Sequence, residues 1–389
     1  DRPMKRIILF ATCSLMVCAG AFAQQKEEPK LVVKPSGRIL MDAGAMHSTD
    51  KTVDALLNDG AAIPDARIGF SATYDKWKVK VDVGFARQSL SLKDINLDYK
   101  INNDELLRLG YFVHQFGLQS ATSSSFKISM EEPLANQAFF NNRLIGAMYV
   151  HTADKFHATA SLFAENDAMK MTTDKLGNEA WGAMTRLVWH PQMERGKIFH
   201  FGVSGAYESP RYNKNAANSH SSYTLRAPFP TRIANVSAQE ATITDAKSLW
   251  KFSPELTAAF GNLGIESQYY YVAIKRDNAL PNYKAWGAYG NVRYLLKGQG
   301  YTYTKNDAGI ATPDPGAMEL VAAYNYSTLT DKNANIFGGK VNDWSLTFNY
   351  YINKYMIWRV RASITRATEN MAFADNTVSM LETRLQIKF

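Results

Sequence analysis

The last nine residues, LETRLQIKF (381–389), alternate without interruption. Leu381, Thr383, Leu385, Ile387 and Phe389 form one set; Glu382, Arg384, Gln386 and Lys388 form the other. A two-residue period is that of a β-strand, whose side chains point to opposite faces in turn. The chain therefore stops on a strand, with an aromatic side chain as its last. The same signature recurs upstream. WKVKVDVGF sets Trp77, Val79, Val81, Val83 and Phe85 against Lys78, Lys80, Asp82 and Gly84. ARIGFSATY (66–74), WSLTFNYY (344–351) and WRVRASIT (358–365) alternate likewise. Further segments lie near 37–46, 92–99, 105–112, 143–151, 156–164, 180–190, 199–208, 222–228, 249–260, 263–275, 285–297 and 317–327. The expectation is about 16 strands.

Turn residues separate them, as in Asn102-Asn103-Asp104, Pro191 to Gly196, Thr312 to Gly316 and Asn353-Lys354. Tight and long connections alternate. A short helical turn is expected near Leu56–Ala62, and the 209–248 stretch is the least regular. No linker divides the chain.

Two architectures fit so many alternating strands: a soluble sandwich or barrel with its apolar face inside, or a membrane barrel with its apolar face outside. Three features select the second. The polar face is too charged over too many strands for a solvated skin. All seven Trp (77, 181, 189, 250, 286, 344, 358) fall in the strands, many near their ends, as an interfacial girdle requires. The last strand must also close the sheet, because lipid tolerates no unpaired edge. The expected fold class is all-β, a transmembrane antiparallel β-barrel. Phe389 then stands where such barrels present their assembly signal to the barrel assembly machinery.

Met4 to Gln24 reads as a secretory signal: Lys5 and Arg6, an apolar run from Ile7 to Gly20, then Ala21-Phe22-Ala23. The expected division is a leader over 1–23, a short periplasmic segment over 24–35 and the barrel over 36–389, in a Gram-negative-type outer membrane. Both cysteines, Cys13 and Cys18, lie in the leader. The formal net charge is +8, of which Asp1, Arg2, Lys5 and Arg6 supply +2, and the remainder favours anionic partners. No later apolar run reaches the ~20 residues of a spanning helix.

Five stretches carry a resemblance: LRLGYFVHQFGLQSATSSSF (107–126), WGAYGNVRYLLKGQGYTY (286–303), GAMELVAAYNYSTL (316–329), GGKVNDWSLTFNYYINKYMIWRVRASIT (338–365) and RLQIKF (384–389). In this order the chain resembles the phosphate-selective porin O and P family over nearly its whole mature length. The resemblance implies a 16-stranded outer-membrane barrel, commonly trimeric, with an inward-folded third loop that narrows the pore. The chain departs from the pattern at Gln115, where the family often has proline, and at Gln119, where it often has glutamate. Lys297-Gly298-Gln299 replaces a Thr-Gly-Glu-like turn.

With apolar faces toward lipid, alternation assigns Arg38, Arg67, Lys78, Lys80, Arg108, Arg186, Arg293, Arg359, Arg361, Arg384 and Lys388 to the lumen, and Arg143 to the point where the third loop rejoins the wall. Asp42, Asp82, Asp98, Glu319 and Glu382 form the acidic set. A row of guanidinium groups in a narrow aqueous channel attracts anions. The competing reading is bracing, for example Arg38 with Asp42 or Lys80 with Asp82. The loop itself (113–142) carries His114 and Lys127 against Glu131 and Glu132, too balanced for a dedicated phosphate trap. Phe139-Phe140 is expected to pack it against the wall.

The expected function is passive diffusion of small hydrophilic solutes with a preference for anions such as phosphate. The alternative is a structural or complex-associated barrel with a closed pore. No Gly-x-Ser-x-Gly setting accompanies His47-Ser48, His151, His157 or His220-Ser221, so no enzyme is expected. No metal, cofactor or nucleic acid is expected either. An energised receptor would need a plug domain and about 22 strands.

Overall fold

The computed structural model describes residues 28–140, 143–164, 181–209 and 221–389. The leader and His220 lie outside the described residues. The strands, in chain order, are β1 (Val32–Ser48), β2 (Gly60–Tyr74), β3 (Trp77–Gly84), β4 (Ser91–Lys100), β5 (Glu105–Phe112), β6 (Leu144–Thr152), β7 (Phe156–Ala164), β8 (Trp181–Glu194), β9 (Lys197–Ser209) and β10 (Ser221–Pro228). They continue as β11 (Ser237–Phe260), β12 (Leu263–Arg276), β13 (Tyr283–Lys297), β14 (Tyr303–Thr304), β15 (Gly309–Ile310), β16 (Met318–Asp331), β17 (Ile336–Tyr350), β18 (Met356–Asn370) and β19 (Asn376–Lys388).

Leaving out β10, β14 and β15, these strands pair with their neighbours in chain order, and β1 pairs with β19 to close a 16-stranded antiparallel barrel. The closing register runs from Arg38↔Lys388 to Ser48↔Val378. Beyond it, Gly37 and Phe389 exchange both backbone hydrogen bonds, at 3.0 and 3.1 Å. The chain is thus paired to its final residue, and the Phe389 ring occupies the space a Cβ on residue 37 would need.

Two expectations are corrected. Segment 222–228 is not a wall strand: β10 pairs with the far half of β11, from Ser221↔Ala246 to Pro228↔Ser237, while Leu249–Phe260 pair with β9. Alternation cannot distinguish a wall strand from a hairpin arm, since both are half-buried. The short helix is α1 (Lys51–Leu56), and residues 60–62 already belong to β2. The Asp50 carboxylate fixes its start by accepting the Thr52 and Val53 amides, both at 2.9 Å, as an N-cap.

The outer face follows the pattern. All seven Trp are 41–60% exposed on it. The inner face divides in two. On β12, Glu266 and Gln268 face inward near the short-turn rim, but Tyr270, Val272 and Ile274 face inward farther up and are fully buried. They join an apolar cluster with Phe116, Leu134, Phe139, Phe229 and Val341.

Three segments fill the lumen. The first is the β5–β6 connection, with α2 (Gly117–Ala121) and α3 (Leu134–Phe139). It is pinned across the barrel by Gly117 N to Ser204 Oγ (3.0 Å), Ser129 Oγ to Thr347 Oγ1 (2.8 Å) and Gln386 Nε2 to Ser125 O (2.8 Å). Phe139 lies 6.2 Å from Tyr270, ring to ring, so it packs the loop in place. The second is the β10–β11 hairpin, whose tip reaches Arg361 through Pro230 O (2.8 Å) and Glu382 through Thr231 Oγ1 (2.6 Å). The third is the β13–β16 connection. It belongs to the short-turn rim but is long, carries the β14–β15 hairpin and folds inward.

Candidate functional site

A cavity of about 410 Å³ lies between the β5–β6 loop and the wall of β1 to β5. Its geometry starts from irregularities in two strands, β4 and β2. Between β3 and β4 the register shifts from Val81↔Ile95 to Val83↔Leu92. Leu92 and Ile95 then both face lipid, and the two residues between them, Lys93 and Asp94, both face inward, as a β-bulge allows. Strict alternation keeps Asp94 on the face of Asn96 and Asp98 but would turn Lys93 outward, so the bulge accounts for missing Lys93, while Asp94 was within reach of the pattern. Between β1 and β2 the register shifts from Leu40↔Asp65 to Asp42↔Ala62, which accommodates Pro64, and Asp65 faces inward two residues from Arg67.

Asp94 then bridges Lys80 Nζ and Arg143 Nε, both at 2.7 Å, and Lys80 also reaches Asp82 at 3.0 Å. Asp65 receives Arg67 (2.5 Å) and Arg38. Arg38 takes Asp65 rather than the expected Asp42, because Asp42 is held by Arg384 at 2.6 Å. Arg38 also donates to Ser124 Oγ (2.8 Å) and Ser125 Oγ (3.1 Å) of the loop. Arg108 forks onto Asp98 at 2.7 and 2.8 Å. Lys388 lies over the Phe126 ring at 3.5 Å.

The lining holds seven cationic side chains, Arg38, Arg67, Lys80, Arg108, Lys127, Arg143 and Lys388, and four acidic ones, Asp82, Asp94, Glu132 and Asp307. The lining side chains sum to +3, and Asp65 and Asp98, which hold Arg38, Arg67 and Arg108 from just outside it, bring the excess to +1. Lys93 lies within electrostatic reach of Arg38, Arg67, Arg143 and Arg232. At an effective dielectric constant of about 20, unit charges about 7 Å apart repel by about 2 kcal/mol. An anion in the cavity relieves that repulsion.

Asp307, at the tip of the inward turn, is raised above the usual carboxylate range by burial, which outweighs Arg186, Arg108 and Lys127. Glu131 behaves oppositely: burial opposes its charge, but Arg232 and Arg384 hold it below the usual range. His114 adds no charge to the loop at neutral pH. It is buried, stacks 4.2 Å from Phe112, and burial pushes it down to about 4.

The remaining sequence candidates do not line this cavity. Lys78 is exposed near the short-turn end of β3. Arg186, Arg293, Arg359, Arg361 and Arg384 face inward but are at most 4% exposed, sealed behind the inward segments. Arg186 and Arg293 pair with Glu255 and Glu319, each at 2.6 Å. Arg361 reaches Asp343 at 3.5 Å and Glu382 at 3.6 Å. Arg384 holds Asp42 and Glu131, and Arg359 donates to Asn349 Oδ1 and Lys127 O, both at 2.6 Å. The expectation that these five line an open aqueous path is corrected: the three inward segments lie over them. Glu255 was missed although it continues the alternation of Trp250, Phe252 and Leu256, which would have placed it inside.

A family model described as "Phosphate-selective porin O and P" matches residues 33–389. The chain belongs to this family. The porin is 25% identical over 358 residues to Porin O of Pseudomonas aeruginosa, which spans 81% of this chain and 79% of that relative. Among solved structures it is similar to a loop-deletion mutant of OmpT from Vibrio cholerae (TM-score 0.59, 12% identity, 92% of this chain and 99% of that one). It is also similar to an anion-selective porin from Comamonas acidovorans (TM-score 0.56, 10% identity, 92% and 100%). These two likenesses establish the fold. The porin is an outer-membrane channel protein of the Gram-negative envelope.

Proposed function

We propose that the cavity is the anion-preferring step of a passive pore for small hydrophilic solutes, phosphate among them. One observation carries this reading: the excess of cationic over acidic side chains in the lining. The path runs along Arg38, Arg67, Lys80, Arg108 and Arg143, with Lys93 and Lys388 added. The name of the relative's family and the anion selectivity of the Comamonas protein point the same way. The reading assigns the chain no reaction; the Ser48 hydroxyl bonds Asn376 while His47 pairs with Asp54.

The test is the reversal potential of purified protein in a planar bilayer across a chloride gradient, repeated with added phosphate. Anion-favouring potentials with phosphate block of chloride current support the reading. Unselective or cation-favouring current overturns it. The filling of the lumen by three segments favours a second reading, a closed structural barrel, and folded protein that carries no current would establish that one.

Three further points belong to the same proposal. The chain assembles as a homotrimer, as one form of Vibrio OmpT does, which native mass spectrometry in detergent would test. The leader is cleaved after Ala23, and the segment left on the periplasmic side ends at 31 rather than at the expected 35, because β1 and its pairing with β2 begin at Val32. Phe389 carries the assembly signal, and deleting it lowers the yield of heat-resistant barrel; unchanged yield removes the idea.

A further inference from the structure

Two of the inward segments meet at one guanidinium. Arg186 is fully buried and rises from β8 with Glu255 of β11, whose Oε1 accepts Nη2 at 2.6 Å. Its Nε also donates to Glu255, at 3.1 Å, while the other donors leave the wall. Nη1 donates to Asp307 O (2.7 Å) and Nη2 to Ala308 O (2.8 Å), both in the β13–β16 turn. Nη1 also donates to Gln115 Oε1 (3.1 Å), in the β5–β6 loop.

Both segments are tied a second time by a histidine. His157 Nε2 lies 2.8 Å from Gln115 Oε1, and its Nδ1 lies 3.0 Å from Thr152 Oγ1. His200 Nε2 lies 2.8 Å from Glu255 Oε1, and its Nδ1 lies 2.9 Å from Tyr303 OH of the turn. With Nε2–H assigned to both neutral imidazoles, Thr152, His157, Gln115, Arg186, Glu255, His200 and Tyr303 form one satisfied chain. The segments also touch, since a Cβ on Gly309 would sit 3.7 Å from Leu118 of α2.

We propose that Gln115 is a positioning residue that couples the constriction loop to the short-turn segment 298–317, so that the two shift as one body. A loop held by independent anchors moves alone. A loop whose anchor is shared with a second segment pulls that segment with it. Leu at 115 would leave His157 Nε2–H and one Arg186 bond without their acceptor in a buried site, which costs each group its desolvation. Loosening the turn at Tyr303 leaves His200 Nδ1 without its donor and weakens the hold on the shared Arg186–Glu255 pair. Coupling between two sites is reciprocal, so each perturbation must reach the other segment. This inference concerns the cavity of the proposed pore, but its test reads protein motion and needs no ion current.

The experiment uses thiol labelling in full-length protein, whose residues from 24 onward contain no cysteine. Reporters are Gly309→Cys in the turn and Ala138→Cys in the loop, both buried in the parent. Triggers are Gln115→Leu and Tyr303→Phe, with Gln115→Glu as the conservative control that keeps an acceptor. Coupling predicts that Gln115→Leu speeds labelling of the turn reporter, and Tyr303→Phe that of the loop reporter, each by at least about 5-fold. Gln115→Glu should restore slow labelling. The proposal is overturned if each trigger speeds only its own segment, or if Leu and Glu at 115 behave alike. If Gln115→Leu does not assemble, the Tyr303→Phe arm alone decides.

Discussion

The lumen contains two populations of cations drawn from the same alternating pattern. On β8, β13, β18 and β19, Arg186, Arg293, Arg361 and Arg384 are each buried against a carboxylate. On β2 and β3 and at the start of β6, Arg67, Lys80 and Arg143 have side chains 14–36% exposed and border a cavity; Arg38 of β1 also lines it but is buried against Asp65 and two loop serines, like the first set. A buried guanidinium must be paired, because an isolated charge in a low-dielectric site is strongly unfavourable. A guanidinium beside water can remain under-compensated and act on a solute. The residue type is shared and the role is opposite. What separates them is whether an inward segment lies over the side chain.

The largest test of this contrast is Arg186→Ala. It strands Glu255, which is fully buried, and removes the tie to two inward segments. A loss of about 3–5 kcal/mol is expected, seen as near-absence of heat-resistant barrel in the membrane fraction. Normal assembly would mean the paired arginines do not brace the wall. Next comes Arg143→Ala with Arg67→Ala. Assembly should be retained, while anion preference falls several-fold, corresponding to about 1–2 kcal/mol of lost stabilisation at the cavity. Unchanged reversal potentials would make these residues braces as well.

Thiol labelling sharpens the division without altering selectivity much. Cysteine at 143 should react readily with an impermeant reagent. Cysteine at 359 or 361 should react slowly, because Lys127 O and Pro230 O cover those positions. Equal rates would show that the inward segments leave the lumen in solution. The smallest effect is on pH. Asp307 titrates above the ordinary range, so lowering pH from neutral removes its negative charge earlier than for a free aspartate. The lining then becomes more positive and anion preference rises as pH falls. A fall in preference would assign the dominant titration to another group.

Much of the fold was legible. Period two on both sides of every turn fixed strands, faces and the closing role of β19. The girdle of Trp fixed which face meets lipid. Less of the site was legible, and several misses have a physical cause. Lys93 and Asp94 share a face only because β4 bulges. Asp65 shares the inner face of Arg67 by plain alternation, and the irregularity of β2 begins only beyond it, at Ile63 and Pro64. Segment 222–228 alternates like a wall strand yet belongs to a hairpin. Tyr270, Val272 and Ile274 break the polar-inside rule because the lumen above the cavity is packed with loop side chains rather than water.

The sequence by itself determined the barrel, because strand periodicity, turn residues and the demand for a closed edge are local or follow from the solvent alone. Only the tertiary structure decided which arginines meet a solute. That choice depends on where three long connections come to rest inside the wall, and their anchors join residues far apart in sequence, such as Arg384 with Met130 and Arg186 with Asp307.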